Sequence, residues 1–382
     1  GCMRYRELGK TGLMVSEIGL GAEWLERHNA AECKEVIDCC AQAGINLLDC
    51  WMSEPNVRAN IGLALEGRRE QWIIQGHLCT YWAGDRHTCV RDLKRVQAGF
   101  DDLLARLRTD YVDIGVVHYV DTKEVLAQVL RPEFVEYLQG LKAQGKVRFL
   151  GVSTHNPDTA RAIVESGLFD MLLFSINPAF DMLPPTEDMN EYFVKEYRQD
   201  LQGVAPERTA LYQLCQERGV GVTVMKGYAG GRLLSEKASP FGVALTPVQC
   251  LHYALTRPAV ASVLAGMETP EQVAQAAAYE TASEQEKDYA AVLANAPFHS
   301  FAGQCTYCGH CQPCPVHIDI AMVNKLYDLA VMQGQSPASV QSHYDALKAK
   351  AGDCIACGGC EKRCPFQVPV IARMKKARAL FE

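Results

Sequence analysis

Eight short runs rich in β-branched residues alternate with helical stretches between Glu17 and Leu264, and the rhythm does not break. The runs are 17–20, 46–48, 72–75, 111–117, 147–151, 171–174, 221–225 and 262–264, with helical patterns at 30–43, 56–65, 88–107 and 132–143 among the intervening segments. Eight strands separated by helices predict a closed (β/α)8 TIM barrel of α/β class. An open doubly wound sheet would carry G-x-G-x-x-G after its first strand, and none is present. The stretch 180–206, with its Pro184-Pro185 pair and acidic residues, reads as a long loop over the active face of the barrel.

A different signal begins at Cys305. Cys305, Cys308, Cys311 and Cys314 precede Pro315, and Cys354, Cys357, Cys360 and Cys364 precede Pro365. The second run has the C-x2-C-x2-C-x3-C-P spacing of bacterial two-cluster ferredoxins, and the first is one residue shorter before its last cysteine. In that arrangement three close thiolates hold one cluster and the fourth crosses to the other. Cys305, Cys308, Cys311 and Cys364 are therefore expected at one [4Fe–4S] cluster, and Cys354, Cys357, Cys360 and Cys314 at the second. Two structural zinc sites are the other reading of C-x2-C pairs. Helical patterns at 319–332 and 338–351 fill the long spacer, as in small α-helical ferredoxin-like modules appended to larger enzymes. The expected division is barrel over 1–296 and two-cluster domain over 297–382.

Seventeen cysteines would suggest disulfides in a small secreted chain, but this one has 382 residues and opens without a signal-peptide pattern. A cytoplasmic redox protein is the expectation. The net charge of −7 argues against nucleic acid as a partner, and no apolar stretch approaches a membrane span.

The opening MRYRELGKTGLMVSEIGLGA resembles the start of an aldo-keto reductase, the NADPH-dependent barrel family. The resemblance continues through INLLDCWMSEPNVRANIGLAL, DYVDIGVVHYVD, GKVRFLGVSTHN, RGVGVTVMKGYAGGRLL and SVLAGMETPEQV, in register over residues 3–280. A branch of that family carries a C-terminal ferredoxin-like extension. The resemblance implies an oxidoreductase acting on a small carbonyl or hydroxyl compound with NADP(H) or NAD(H), and a redox partner protein for the clusters.

It also implies a catalytic set: an Asp, a Tyr five residues later, a Lys ending strand three and a His ending strand four. Asp49 and His118 match, whereas Glu54 takes the Tyr position and His77 the Lys position. Three readings stay open for Asp49, Glu54, His77 and His118. The site could run altered acid–base chemistry, with histidine the easier proton donor. The four side chains could bind a catalytic divalent metal and support a lyase or hydrolase. They could also be a decayed site.

For the cofactor, the resemblance places Ser153, Thr154 and Ser175 at the nicotinamide carboxamide and Met225 against the ring. Lys226, Gly230, Gly231 and Arg232 suit phosphate, and Gly266 to Gln272 corresponds to the adenosine-phosphate loop.

Overall fold

An antiparallel hairpin opens the fold, β1 (Tyr5–Glu7) paired with β2 (Met14–Ser16). Leu8, Leu13 and Val15 from this hairpin pack against Leu47, Ile114, Val116, Met171 and Leu173, which point into the barrel, and so close its amino end. The structure is a computed structural model and describes all residues except 1, 194–196, 198–199, 300 and 333–337.

Eight parallel strands then close on themselves: β3 (Ile18–Gly21), β4 (Leu47–Cys50), β5 (Ile73–Leu78), β8 (Val112–Val117), β9 (Val147–Thr154), β10 (Met171–Ser175), β11 (Gly221–Met225) and β12 (Val260–Gly266). Every run expected from the sequence is one of these strands. Between β5 and β8 lies a second hairpin, β6 (Thr80–Ala83) with β7 (Arg86–Cys89), which the sequence reading missed. The helix expected over 88–107 consequently starts at Leu93, where the Asp92 side chain caps it by accepting from the Arg95 N–H.

Burial on both faces explains the continuous apolar runs in the strands. Period two sends Gln75 and His77 of β5 inward and leaves Gly76 outward, where a Cβ would meet Val112 at 2.7 Å. Gly62, on helix Pro55–Ala64, is as constrained, because a Cβ there would stand 2.2 Å from the Arg106 carbonyl oxygen.

The expected loop at 180–206 is only partly a loop, and 194–196 with 198–199 fall outside the described residues. Its first residues belong to the short helix Pro178–Asp181, and Asp181 is buried against Arg208, Tyr212 and Tyr253. Further on it meets the tail: Val204 donates its N–H to Gln304 Oε1 at 2.9 Å, and the Leu201 carbonyl lies 2.7 Å from His299 Nδ1. None of its described residues lines the pocket at the carboxyl end of the barrel.

Helices Ile320–Met332, Ala338–Asp345 and Val370–Phe381 carry the tail. Its first cysteine loop meets the barrel low, while His299, Phe301 and Gln304 reach the segments that follow β10 and β11. Arg257, in the loop that enters β12, donates to the Thr306 carbonyl at 2.7 Å, and the Tyr289 hydroxyl does the same at 2.7 Å. Among the described residues no helix is long and apolar enough to cross a membrane.

Candidate active site

The carboxyl ends of β3, β4, β5, β8, β11 and β12 surround a cavity of about 440 Å³. Asp49, His77 and His118 all line it, although each is at most 3 % exposed. Their side chains form one line. His77 Nε2 lies 2.7 Å from Asp49 Oδ1, and His77 Nδ1 lies 2.8 Å from His118 Nδ1. Gln75 fixes the far end by donating to Asp49 Oδ1 at 2.9 Å, and is itself held by the Thr223 hydroxyl from across the barrel. Burial first, and the neighbouring His77 second, hold the His118 pKa well below the usual imidazole value.

Glu54 does not join them. It caps helix Pro55–Ala64, accepting from the N–H groups of Asn56 at 2.9 Å and Val57 at 2.6 Å. A carboxylate at a helix N-terminus satisfies two otherwise orphaned donors and meets the positive end of the macrodipole. The four-ligand metal reading therefore loses a member. Among the described residues, no three His, Cys, Asp or Glu side chains are grouped closely enough to share one metal ion.

The structure brings further groups to the site. Tyr119 stacks on His118 with ring centroids 4.0 Å apart, and Trp51 stacks on it at 5.8 Å. Tyr119 lines the pocket with a left-handed backbone, φ 50°, and its N–H donates to Ser153 Oγ at 2.8 Å. Burial and nearby carboxylates push its phenol pKa up, so its proton stays on. From β7, His87 Nδ1 sits 2.7 Å from Ser53 Oγ, and its ring stands edge to face with Trp51, centroids 5.1 Å apart. Glu23 also lines the pocket; burial and Asp49 raise its pKa, while Lys226 opposes the rise. Trp51 is legible in the sequence as an aromatic in a loop on the active face, able to stack on a substrate or to pack, and Tyr119 only by its place directly after His118.

The residues expected at a nicotinamide cofactor divide. Met225, Lys226, Gly230, Gly231 and Gly266 line the cavity. Gly230 and Gly231 have φ of 69° and 91°, and open space stands where a Cβ would project, so backbone N–H groups can approach a phosphate. Ser153 and Thr154 are engaged elsewhere, the first by Tyr119 and the second by donating to Asp121 at 2.9 Å. Asp121 also holds His155. Ser175 shares the inward face of β10 with Met171 and Leu173, and its buried hydroxyl has no hydrogen-bond partner. Arg232 and Gln272 lie outside the cavity lining; Gln272 accepts from the Glu268 N–H at 2.8 Å. The phosphate end thus fits, and of the three carboxamide candidates only Ser175 is uncommitted.

In the tail, Cys314, Cys354, Cys357 and Cys360 line one small apolar cavity. On the other side, burial and then Cys364 among other neighbours raise the Cys308 pKa, and Cys305 and Cys308 act likewise on Cys311. Both loops share a backbone pattern. Tyr307 and Gly309 after the first cysteine, and Ala356 and Gly358 after the fifth, are left-handed, as are His317 and Gln367 three residues past each closing cysteine. The two runs thus repeat the same left-handed positions despite their unequal length, and differ in that the second contains a short helix, Gly359–Arg363. Such turns aim N–H groups at sulfur, and Ala356 N–H lies 3.4 Å from Cys354 Sγ.

Fold and site together define a barrel oxidoreductase with an appended iron–sulfur module. The aldo/keto reductase family model matches residues 17–247, and a 4Fe-4S dicluster domain model matches residues 304–369. The chain belongs to the aldo/keto reductase family and carries a 4Fe-4S dicluster domain. The oxidoreductase YqkF of Bacillus subtilis is 26% identical over 285 residues, which span 71% of this chain and 89% of that protein. An L-galactose dehydrogenase of Arabidopsis thaliana is 29% identical over 205 residues, 48% of this chain and 61% of its own. The holo form of an aldo-keto reductase from Bacillus halodurans superposes with a TM-score of 0.57 at 23% identity, covering 75% of this chain and 94% of that one.

Proposed function

We propose that the barrel interconverts a small carbonyl compound and its alcohol, with His118 exchanging the proton with substrate, His77 taking up the proton His118 gives on, and the Asp49 carboxylate stabilising the charge. The observation that carries this reading is the hydrogen-bonded line from Asp49 through His77 to His118. With Asp49 ionised, His77 donates from Nε2 and accepts at Nδ1. His118 then donates from its own Nδ1 and presents Nε2 as an acceptor. When a substrate hydroxyl gives its proton to Nε2, the Nδ1 proton of His118 moves to His77, beside the Asp49 carboxylate. Orientation of one imidazole by a carboxylate serves the same end in hydrolytic triads. The reverse movement delivers a proton to a carbonyl oxygen.

A nicotinamide, when bound, supplies or accepts the hydride. Lys226 and the N–H groups of Gly230 and Gly231 would hold its phosphates, Met225 would cover the ring and the Ser175 hydroxyl would meet the carboxamide. Trp51 and Tyr119 would wall the substrate against His118.

Cys305, Cys308, Cys311 and Cys364 would hold one cluster, and Cys314, Cys354, Cys357 and Cys360 the other. The tail meets the barrel at Arg257, below β12, while Gly266 at the other end of that strand lines the pocket. Seven residues of strand put about 20 Å between those ends. That separation favours a partner protein, rather than the pocket, as the electron-exchange partner of the clusters.

Anaerobic titration with NADPH and NADH, then turnover of a panel of small aldehydes and ketones, tests the barrel reading. Binding of neither nucleotide, or full turnover by His118→Ala, would overturn it.

A further inference from the structure

The two cysteine loops share a pattern of left-handed residues but not an electrostatic setting. Tyr307, between Cys305 and Cys308, is bracketed by two cations: Arg257 with its guanidinium carbon 5.5 Å from the ring centroid, and Lys325 with its Nζ at 5.2 Å. A third, Arg373, donates to Asn324 Oδ1 at 3.0 Å and pairs with Asp328 at 2.6 Å. Lys325 and Arg373 both feel the Cys305 sulfur.

The opposing acids are engaged. Asp328 is held by Arg373 and by the Tyr307 hydroxyl at 2.6 Å. Asp288 pairs with His310 at 2.8 Å and caps helix Tyr289–Ala294. Lys325 has no carboxylate within ion-pair distance among the described residues; burial and then Arg257 push its pKa down to about 8, which leaves it largely cationic at neutral pH.

Around Cys314, Cys354, Cys357 and Cys360 the walls are instead Val316, Ile318, Ile320, Ile355, Ile371 and Met374. The one cation among that lining, Arg363, reaches across to the carbonyls of Cys311 and Pro313, so its charge lies between the two runs and not with the second alone. Ile355 is 61 % exposed, which opens this loop to solvent.

A [4Fe–4S] cluster with four thiolates is an anion that becomes more negative on accepting an electron. Net charge around it is one of the determinants of its potential. Burial opposes the added charge more at the first loop than at the solvent-open second, and the lysine and the two arginines gathered at the first work against that penalty.

We propose that Lys325, with Arg373 and Arg257, makes the cluster at Cys305, Cys308, Cys311 and Cys364 the higher-potential member of the pair. Electrons from an external one-electron donor enter at the exposed loop of Cys354 and Cys357 and settle on the barrel-side cluster. Each transfer reduces one cluster by one electron and leaves the donor oxidised by one.

Anaerobic redox titration of the full-length protein followed by electron paramagnetic resonance tests this. The wild type should titrate in two waves. Lys325→Gln should lower the upper wave by about tenfold in the reduction equilibrium, which is about 59 mV for one electron, and leave the lower wave in place. Lys325→Arg should restore it. If Lys325→Gln loses iron and sulfide, Arg373→Gln takes its place with the same expected shift. A single wild-type wave, equal shifts in both waves, or no shift in a variant with full iron and sulfide would overturn the assignment.

Discussion

His77 and His118 meet Nδ1 to Nδ1 at 2.8 Å, so that one proton is shared between two imidazoles and the next acceptor along the line is Asp49. On the proposed relay, the family position for lysine holds a group able to take and return a proton instead of a fixed cation. His77→Ala should therefore lower kcat by about 10²- to 10⁴-fold, the range for losing a positioned acid–base group. Steady-state kinetics at saturating substrate would check this, with circular dichroism to confirm an intact barrel.

The His118 pKa is lowered by burial and by His77. A group with a lowered pKa stays a base at neutrality and loses that form only well below its usual value near 6.5. Alcohol oxidation should therefore be flat through neutral pH and fall only in the acid range. A kcat/KM profile that drops on acidification already near pH 7 would contradict this.

Glu54 spends its carboxylate on the N–H groups of Asn56 and Val57. Glu54→Ala should cost about 1 kcal/mol of stability, as lost N-caps do, and leave turnover nearly intact. Urea unfolding alongside the activity assay separates the two effects.

Asp181 is fully buried, accepts from Tyr212 and Tyr253 and pairs with Arg208 at 3.2 Å. Asp181→Ala strands a buried guanidinium and should cost roughly 3–5 kcal/mol. A fall in the chemical-denaturation midpoint would measure it.

Cys314 shares a cavity with the first three cysteines of the other run. Cys314→Ala should deplete the second cluster, while Cys364→Ala should deplete the first. Iron analysis and resonance spectra of the two variants should differ in which signal disappears. Identical spectra would refute the crossed pairing.

Much of this was written in local chemistry. The β-branched runs mark all eight barrel strands, because strands buried on both faces must be apolar throughout. Cysteine spacing marks the iron–sulfur module, because thiolate ligation fixes residue type and interval together. The β6–β7 hairpin was hidden, since Thr80–Cys89 has neither length nor alternation enough to stand out from a helix start.

The altered set at Asp49, Glu54, His77 and His118 was also legible, but not which members meet. Counting along the chain put Glu54 with the other three; the helix that begins at Pro55 instead drew its carboxylate onto two backbone N–H groups. Sequence determined the barrel, the appended module and the loss of the Tyr and Lys, each being a matter of periodicity or residue identity. Tertiary structure alone decided that His77 bridges Asp49 to His118, that Tyr119 stacks beside them, and that cations gather at one cysteine loop. Those relations join residues on different strands and helices, and only closure of the barrel and docking of the tail bring them within reach.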